Sequence, residues 1–132
     1  MSFTRATVLG LLLGGCATDE RSMPACLAHE SPTPELVMCV DRTLAPLRAE
    51  LVQAYERSEA KYKNDPVVLN ELYITRTVKD LNDRVLCNTD AELAVLRKAE
   101  AGGSYSKLEV AQLFLACQKH RLEQRISELN EL

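Results

Sequence analysis

The chain has 132 residues, 16 of them basic and 19 acidic, for a net charge of −3. That length holds one domain and not comfortably two, and the acidic balance argues against a nucleic-acid-binding surface. With 46% hydrophobic residues, 5% aromatics and no Trp, the composition excludes wholesale disorder and a base-stacking platform.

The first 15 residues read as a targeting segment. Met1 to Arg5 carries one positive charge, and Ala6 to Leu13 is apolar apart from Thr7 and Gly10. The run is far short of the roughly 20 residues that span a bilayer and has the length of a signal-peptide core. It ends in Leu13-Gly14-Gly15-Cys16, which resembles the bacterial lipoprotein signal, where a Leu and two small residues precede the lipidated Cys. The resemblance implies cleavage before Cys16, acylation of Cys16 by diacylglycerol and a further fatty acid such as palmitate, and near-permanent membrane anchoring. Ala17 is not the Asp that retains such proteins in the inner membrane, so the expected place is the periplasmic side of the outer membrane in a diderm host.

Cleavage leaves residues 16–132 and, with Arg5 gone, a net charge of −4. Cys16 takes the lipid, and Cys26, Cys39, Cys87 and Cys117 remain. An even number in an exported domain reads as two disulfides. No Cys-x-x-Cys pair exists and neither His29 nor His120 has a partner His, so no metal site is expected.

The placement of Gly and Pro points to helices. Three of the five Gly precede Cys16, the other two are the pair Gly102-Gly103, and all five Pro lie at or before Pro66. An all-β fold needs far more turns. Residues 16–33 read as a polar tether partly tied down by Cys26, and 34–132 as the helical domain. Thr33 caps a first helix, with Pro34 at its first position and Glu35 against the dipole. Its apolar stripe is Leu36, Val40, Leu44, Leu47, Leu51, Tyr55, Ser58 and Tyr62, and Pro46 predicts a kink or short break within it. Asp65 and Pro66 open a second helix, with Val68, Leu72, Val78, Leu81 and Val85 as its core side and Ile74 joining through Val78. Thr89 and Glu92 form a capping box that predicts a break after Cys87. The helix ends at Arg97-Lys98 before Gly102. Ser106 to Glu109 is a second capping box, opening a last helix whose core stripe is Leu108, Ala111, Leu115, Leu122, Ile126 and Leu129. The fold class predicted is therefore all-α, an antiparallel three-helix bundle with kinked or split helices, locked by two disulfides.

Cys87 and Cys117 each lie 15 residues from Gly102, so a hairpin folded there brings them level. Cys39 lies 25 residues before Asn64 and Cys87 23 after it, which adds Cys39 to the same layer. The favoured pairing is Cys87–Cys117 with Cys26–Cys39. Cys39–Cys87 with Cys26–Cys117, and Cys26–Cys87 with Cys39–Cys117, remain alternatives.

No catalytic constellation stands out. His29 falls in the tether and His120 on a charged helix side. The carboxylates of Glu56-Arg57, Asp80, Asp83-Arg84 and Glu123-Arg125 alternate with cations as on a solvated helix face. Gly102-Gly103-Ser104 lacks the strand and Lys of a phosphate loop, which leaves a helix-to-helix turn or a partner contact. The reading is a non-enzyme without cofactor or small-molecule substrate.

Five stretches together resemble the LprI-like lysozyme inhibitors of bacterial envelopes: Glu35-Leu36-Val37-Met38-Cys39, Leu51 to Tyr55, Arg84 to Cys87, Gly102-Gly103-Ser104, and Cys117 to Leu129 with Arg121, Arg125 and Glu128-Leu129. The resemblance covers nearly all of the chain after Cys16. It departs in lacking a Trp before the Arg of the second helix, in placing Arg84 three residues before Cys87, and in the length between Cys87 and Gly102. It implies an envelope lipoprotein that binds and inhibits lysozyme-type muramidases. Gly102, Gly103, Ser104 and Tyr105 form the one glycine-defined protrusion of the mature chain and are the expected partner contact. The alternative is a structural or adaptor lipoprotein of a secretion or conjugation assembly, which an exposed apolar helix face would favour over a polar loop.

Overall fold

A computed structural model describes residues 23–132, which are helical with short connections. The signal segment 1–15 and the lipidation site Cys16 lie outside the described residues. After a 3-10 turn at Ala25–Leu27 come α1 (Thr33–Lys61), α2 (Pro66–Ile74), a π turn (Thr75–Lys79), α3 (Asp80–Glu100) and α4 (Lys107–Asn130). Ile74, Thr75, Lys79 and Asp80 all keep right-handed helical angles, so α2, the π turn and α3 run on as one rod.

The entry segment is packed. Met23 rests on the core, Leu27 is fully buried, and the Leu27 carbonyl accepts from Gln112 Nε2 at 2.8 Å. α1 begins one residue earlier than the sequence suggests. Pro32 takes the cap position without a side-chain hydrogen bond, and Thr33 Oγ1 instead accepts from Lys107 Nζ at 3.2 Å. α1 also runs unbroken through Pro46. Pro46 lies on the exposed side, and the stripe holds both halves down, with Leu36, Val40 and Leu44 before it and Tyr55 and Ser58 after it buried. Packing of that extent outweighs one missing helical hydrogen bond. Asp65 caps α2 as expected, accepting from the Val67 and Val68 amides at 3.1 and 3.2 Å.

The second rod departs most from expectation. It does not break after Cys87; there Asn88 Nδ2 donates to Glu92 Oε1 at 3.3 Å within continuous α3. The irregularity lies at Thr75–Lys79 instead. The extra residue in a π turn rotates everything after it by roughly 100°. Val78, Leu81 and Val85, expected in the core, are 58, 59 and 54% exposed. The six-residue step from Leu72 to Val78 is not a helical repeat, and Ile74, Val78, Leu81 and Val85 are a stripe of their own. The residues α3 buries are Cys87, Ala91 and Val95.

The helix ends fix the directions. Lys107 meets Thr33 at one end of α1 and α4, and Lys61 Nζ donates to the Leu132 carbonyl at 2.6 Å at the other, so these two run parallel. Lys98–Glu109 and Arg121–Asp83, both 3.1 Å, set α3 antiparallel to α4. α4 lies against both α1 and α3, whereas α1 meets the second rod mainly through α2. Leu27, Leu36, Cys39, Val40, Leu44, Leu115 and Leu122 form one core cluster, and Ala54, Tyr55, Leu72 and Leu129 a second. Leu51 touches both clusters. On α4 the expected stripe holds: Leu115, Leu122, Ile126 and Leu129 are buried, and Leu108 and Ala111 pack at its edge.

Two disulfides, Cys26–Cys39 and Cys87–Cys117, span Cα separations of 6.0 and 5.6 Å. This is the favoured pairing. α3 stops because Gly102 takes a φ of +104°, a left-handed conformation cheap only for glycine. The Gly103 amide then donates to the Lys98 carbonyl at 3.0 Å.

Candidate partner-binding site

The loop Gly102–Tyr105 joins α3 to α4, and hydrogen bonds anchor both of its ends. A Cβ on Gly103 would lie 2.9 Å from the Lys98 carbonyl oxygen, so the turn accepts no side chain there. On the far side Ser106 caps α4, its Oγ accepting from the Glu109 amide at 3.1 Å while donating to Glu30 at 2.7 Å. The second half of the expected capping box is not made. The Glu109 carboxylate pairs with Lys98 instead, both oxygens 3.1 Å from Nζ, which ties the end of α3 to the start of α4. Between these anchors Ser104 is exposed and Tyr105 is 47% exposed.

Tyr105 stands at the mouth of a groove of about 340 Å³. Its floor is α4, through Val110, Ala111 and Phe114. Leu36, Val37, Val40 and Asp41 of α1 form one wall, and Arg84, Asn88 and Glu92 of α3 the other; Thr33 and Lys107 close the end beside Tyr105. The groove exists because α1 and α3 touch the common helix α4 more than each other, and Ala111 between them fills little of the gap. Apolar below and charged at the rim, it has the character of a recognition cleft. It also brings Val40 to the level of Arg84 and Asn88, in keeping with a shared layer for Cys39 and Cys87. The sequence marked Tyr105 as a contact but did not join the wall residues Leu36, Val40, Arg84 and Glu92 into a site, since their meeting depends on how far α1 and α3 splay.

A second constellation clamps the other end. The Tyr55 hydroxyl donates to the Asp80 carboxylate. Asp80 also accepts from Arg125 Nε at 2.8 Å, Asp83 pairs with Arg121 at 3.1 Å and Arg125 at 3.5 Å, and Arg76 lies over the Tyr55 ring at 5.2 Å. Burial pushes the Tyr55 hydroxyl far above its ordinary pKa, helped by the hydrogen bond and the negative charge of Asp80. It therefore stays a proton donor. Burial works against the Arg125 charge, but the Asp80 hydrogen bond and the nearby carboxylates outweigh it, and the guanidinium pKa is raised. Asp80, Asp83 and Arg125 are thus not the solvated face the sequence suggested. They join α1, the rod after its π turn, and α4. The signal was present: Asp83 and Arg121 each lie 19 residues from Gly102, and Asp80 and Arg125 lie 22 and 23.

The remaining expected site residues are apart from these two places. Cys26, Cys39, Cys87 and Cys117 are in disulfides, and His29 and His120 are exposed. Glu50, Glu123 and Glu131 edge a shallow hollow over Leu47 and Ile126 between α1 and α4. Among the described residues no cluster of three or more His, Cys, Asp or Glu side chains has metal-binding geometry, and no helix is long and apolar enough to cross a membrane. The chain matches no family model, no curated protein and no solved structure.

Proposed function

We propose that the chain is an envelope-anchored lipoprotein, lipidated at Cys16, whose antiparallel three-helix bundle binds and inhibits a lysozyme-type muramidase. The activity class comes from the resemblance to the LprI-like inhibitors. The observation that carries the site is Tyr105, half exposed at the groove mouth on a loop fixed at both ends. An anchor of this kind loses little conformational freedom on binding. Gly102 and Gly103 let a partner backbone come close, Ser104 donates to a carboxylate without adding charge, and Tyr105 offers an amphipathic surface. The net charge of −4 after cleavage and the carboxylates of Glu50, Glu123 and Glu131 favour encounter with a cationic enzyme at low salt. The domain acts by binding, without a cofactor and without chemistry of its own.

The test is lysozyme turnover of a peptidoglycan suspension with the oxidised domain and with its Ser104→Ala/Tyr105→Ala variant. Inhibition by the wild type that the variant loses supports the reading. No inhibition by the wild type removes the activity, and equal inhibition by the variant removes the loop. A second reading, a structural or adaptor lipoprotein of an envelope assembly, is favoured by the apolar residues exposed along α2 and α3, among them Val67, Tyr73, Leu81 and Val85.

A further inference from the structure

Beside the groove wall, α3 carries an apolar stripe that neither α1 nor α4 covers. Leu81, Val85 and Leu96 are 59, 54 and 44% exposed. On a helix of 3.6 residues per turn they share roughly one quarter of the circumference with Asn88 and Glu92, and Arg84 borders them. The stripe is self-complementary when reversed about the step between Asn88 and Thr89. Leu81 and Leu96 lie equally far on either side of that step, and Arg84 falls within one residue of the reflection of Glu92. Among the described residues Arg84 makes no ion pair, and Glu92 accepts only from its own helix, from Asn88.

We propose that this face is covered by a second copy of the chain, the two α3 helices lying antiparallel about a two-fold axis at the Asn88–Thr89 step. Leu81 of each copy then meets Leu96 of the other, and Arg84 of each meets Glu92 of the other, every contact being made twice as a closed isologous pair requires. The charges decide the occupant. Any apolar helix satisfies the leucines; a copy of this helix in reverse also sets a carboxylate against Arg84 and a guanidinium against Glu92 in the register that pairs Leu81 with Leu96. One helix-on-helix seam is at the small end of specific interfaces, so the pair is reversible and concentration-dependent. This assignment does not use the Gly102–Tyr105 loop, but Arg84 and Glu92 also stand in the α3 wall of the groove, so the second copy competes with a partner in the groove as well as with the adaptor reading.

Sedimentation equilibrium over a range of concentrations, on oxidised residues 16–132 with Cys16→Ser in place of the anchor, tests it. The wild type is expected to show a monomer–dimer equilibrium. Arg84→Glu and Glu92→Arg should each weaken it by about tenfold or more, because two attractive contacts become two repulsive ones. An equimolar mixture of the two single variants should recover the dimer, as should the double variant alone. Residues 84 and 92 are eight apart on one helix and do not touch, so that recovery has no intrahelical explanation. Unchanged helical circular dichroism and melting confirm that the variants are folded. A chain monomeric at every concentration overturns the proposal, as does a dimer indifferent to the charge changes. A monomer that captures another envelope protein through Leu81 and Val85 overturns it too, while leaving the adaptor reading in place.

Discussion

The two disulfides are predicted to contribute unequally, and the structure gives both the order and the size. Cys87–Cys117 closes 30 residues of chain and Cys26–Cys39 closes 13. Chain-entropy arithmetic assigns about 3.6 kcal/mol to the longer loop and about 2.9 kcal/mol to the shorter at 25 °C. Packing widens the gap. α3 buries only Cys87, Ala91 and Val95, small side chains with little area to hold the helix on α4 once the bridge is gone. The entry segment, in contrast, keeps the fully buried Leu27 and its hydrogen bond from Gln112 when Cys26–Cys39 is removed. Cys87→Ala/Cys117→Ala should therefore lower the urea midpoint by roughly 2 M at a typical slope for a small domain, and Cys26→Ala/Cys39→Ala by less. Circular dichroism at 222 nm against urea measures both. A larger loss from the Cys26–Cys39 pair, or equal losses, refutes the argument that α3 is the weakly held helix.

Three further outcomes are expected. Gly103→Ala puts a methyl group 2.9 Å from the Lys98 carbonyl oxygen and should cost about 1–2 kcal/mol in a thermal melt; Gly102→Ala meets no atom within 4 Å, so its cost is the left-handed backbone alone. The raised Tyr55 pKa means that the folded state resists its deprotonation, so its contribution is intact below the unfolded tyrosine value of about 10 and is lost as pH rises above it; Tyr55→Phe should flatten that alkaline fall in urea stability, and an unchanged slope would refute the assignment. Cys16→Ala should abolish labelling by a radioactive fatty acid in a bacterial host, and equal labelling of the variant would end the lipoprotein reading.

The sequence was most legible wherever two residues could be counted from a common fold point. Gly102 fixes where the chain reverses, so equal distances from it made Cys87–Cys117 the favoured pair, while the count from Asn64 left Cys39 as a competitor. The same count pairs Asp83 with Arg121 and Asp80 with Arg125, which composition alone files under surface charge. Counting fails across the π turn. Thr75–Lys79 has no Gly or Pro; its β-branched Thr75, Thr77 and Val78 weaken a regular helix but do not specify a π turn. It forms where a regular helix would not present both Leu72 to α1 and Asp80, Asp83 and Cys87 to α4. The inward face of α3 is then taken by two carboxylates and a disulfide, and the apolar stripe that looked like core is left outside. The groove follows from the same choice. A rod held to α4 by Cys87, Ala91, Val95 and ion pairs has no large apolar side chain to draw it onto the N-terminal half of α1, so the two walls stand apart over Ala111 and Phe114. Thus the clamp at Asp80 and Asp83, far from the Gly102 loop, leaves open the cleft over which Tyr105 stands.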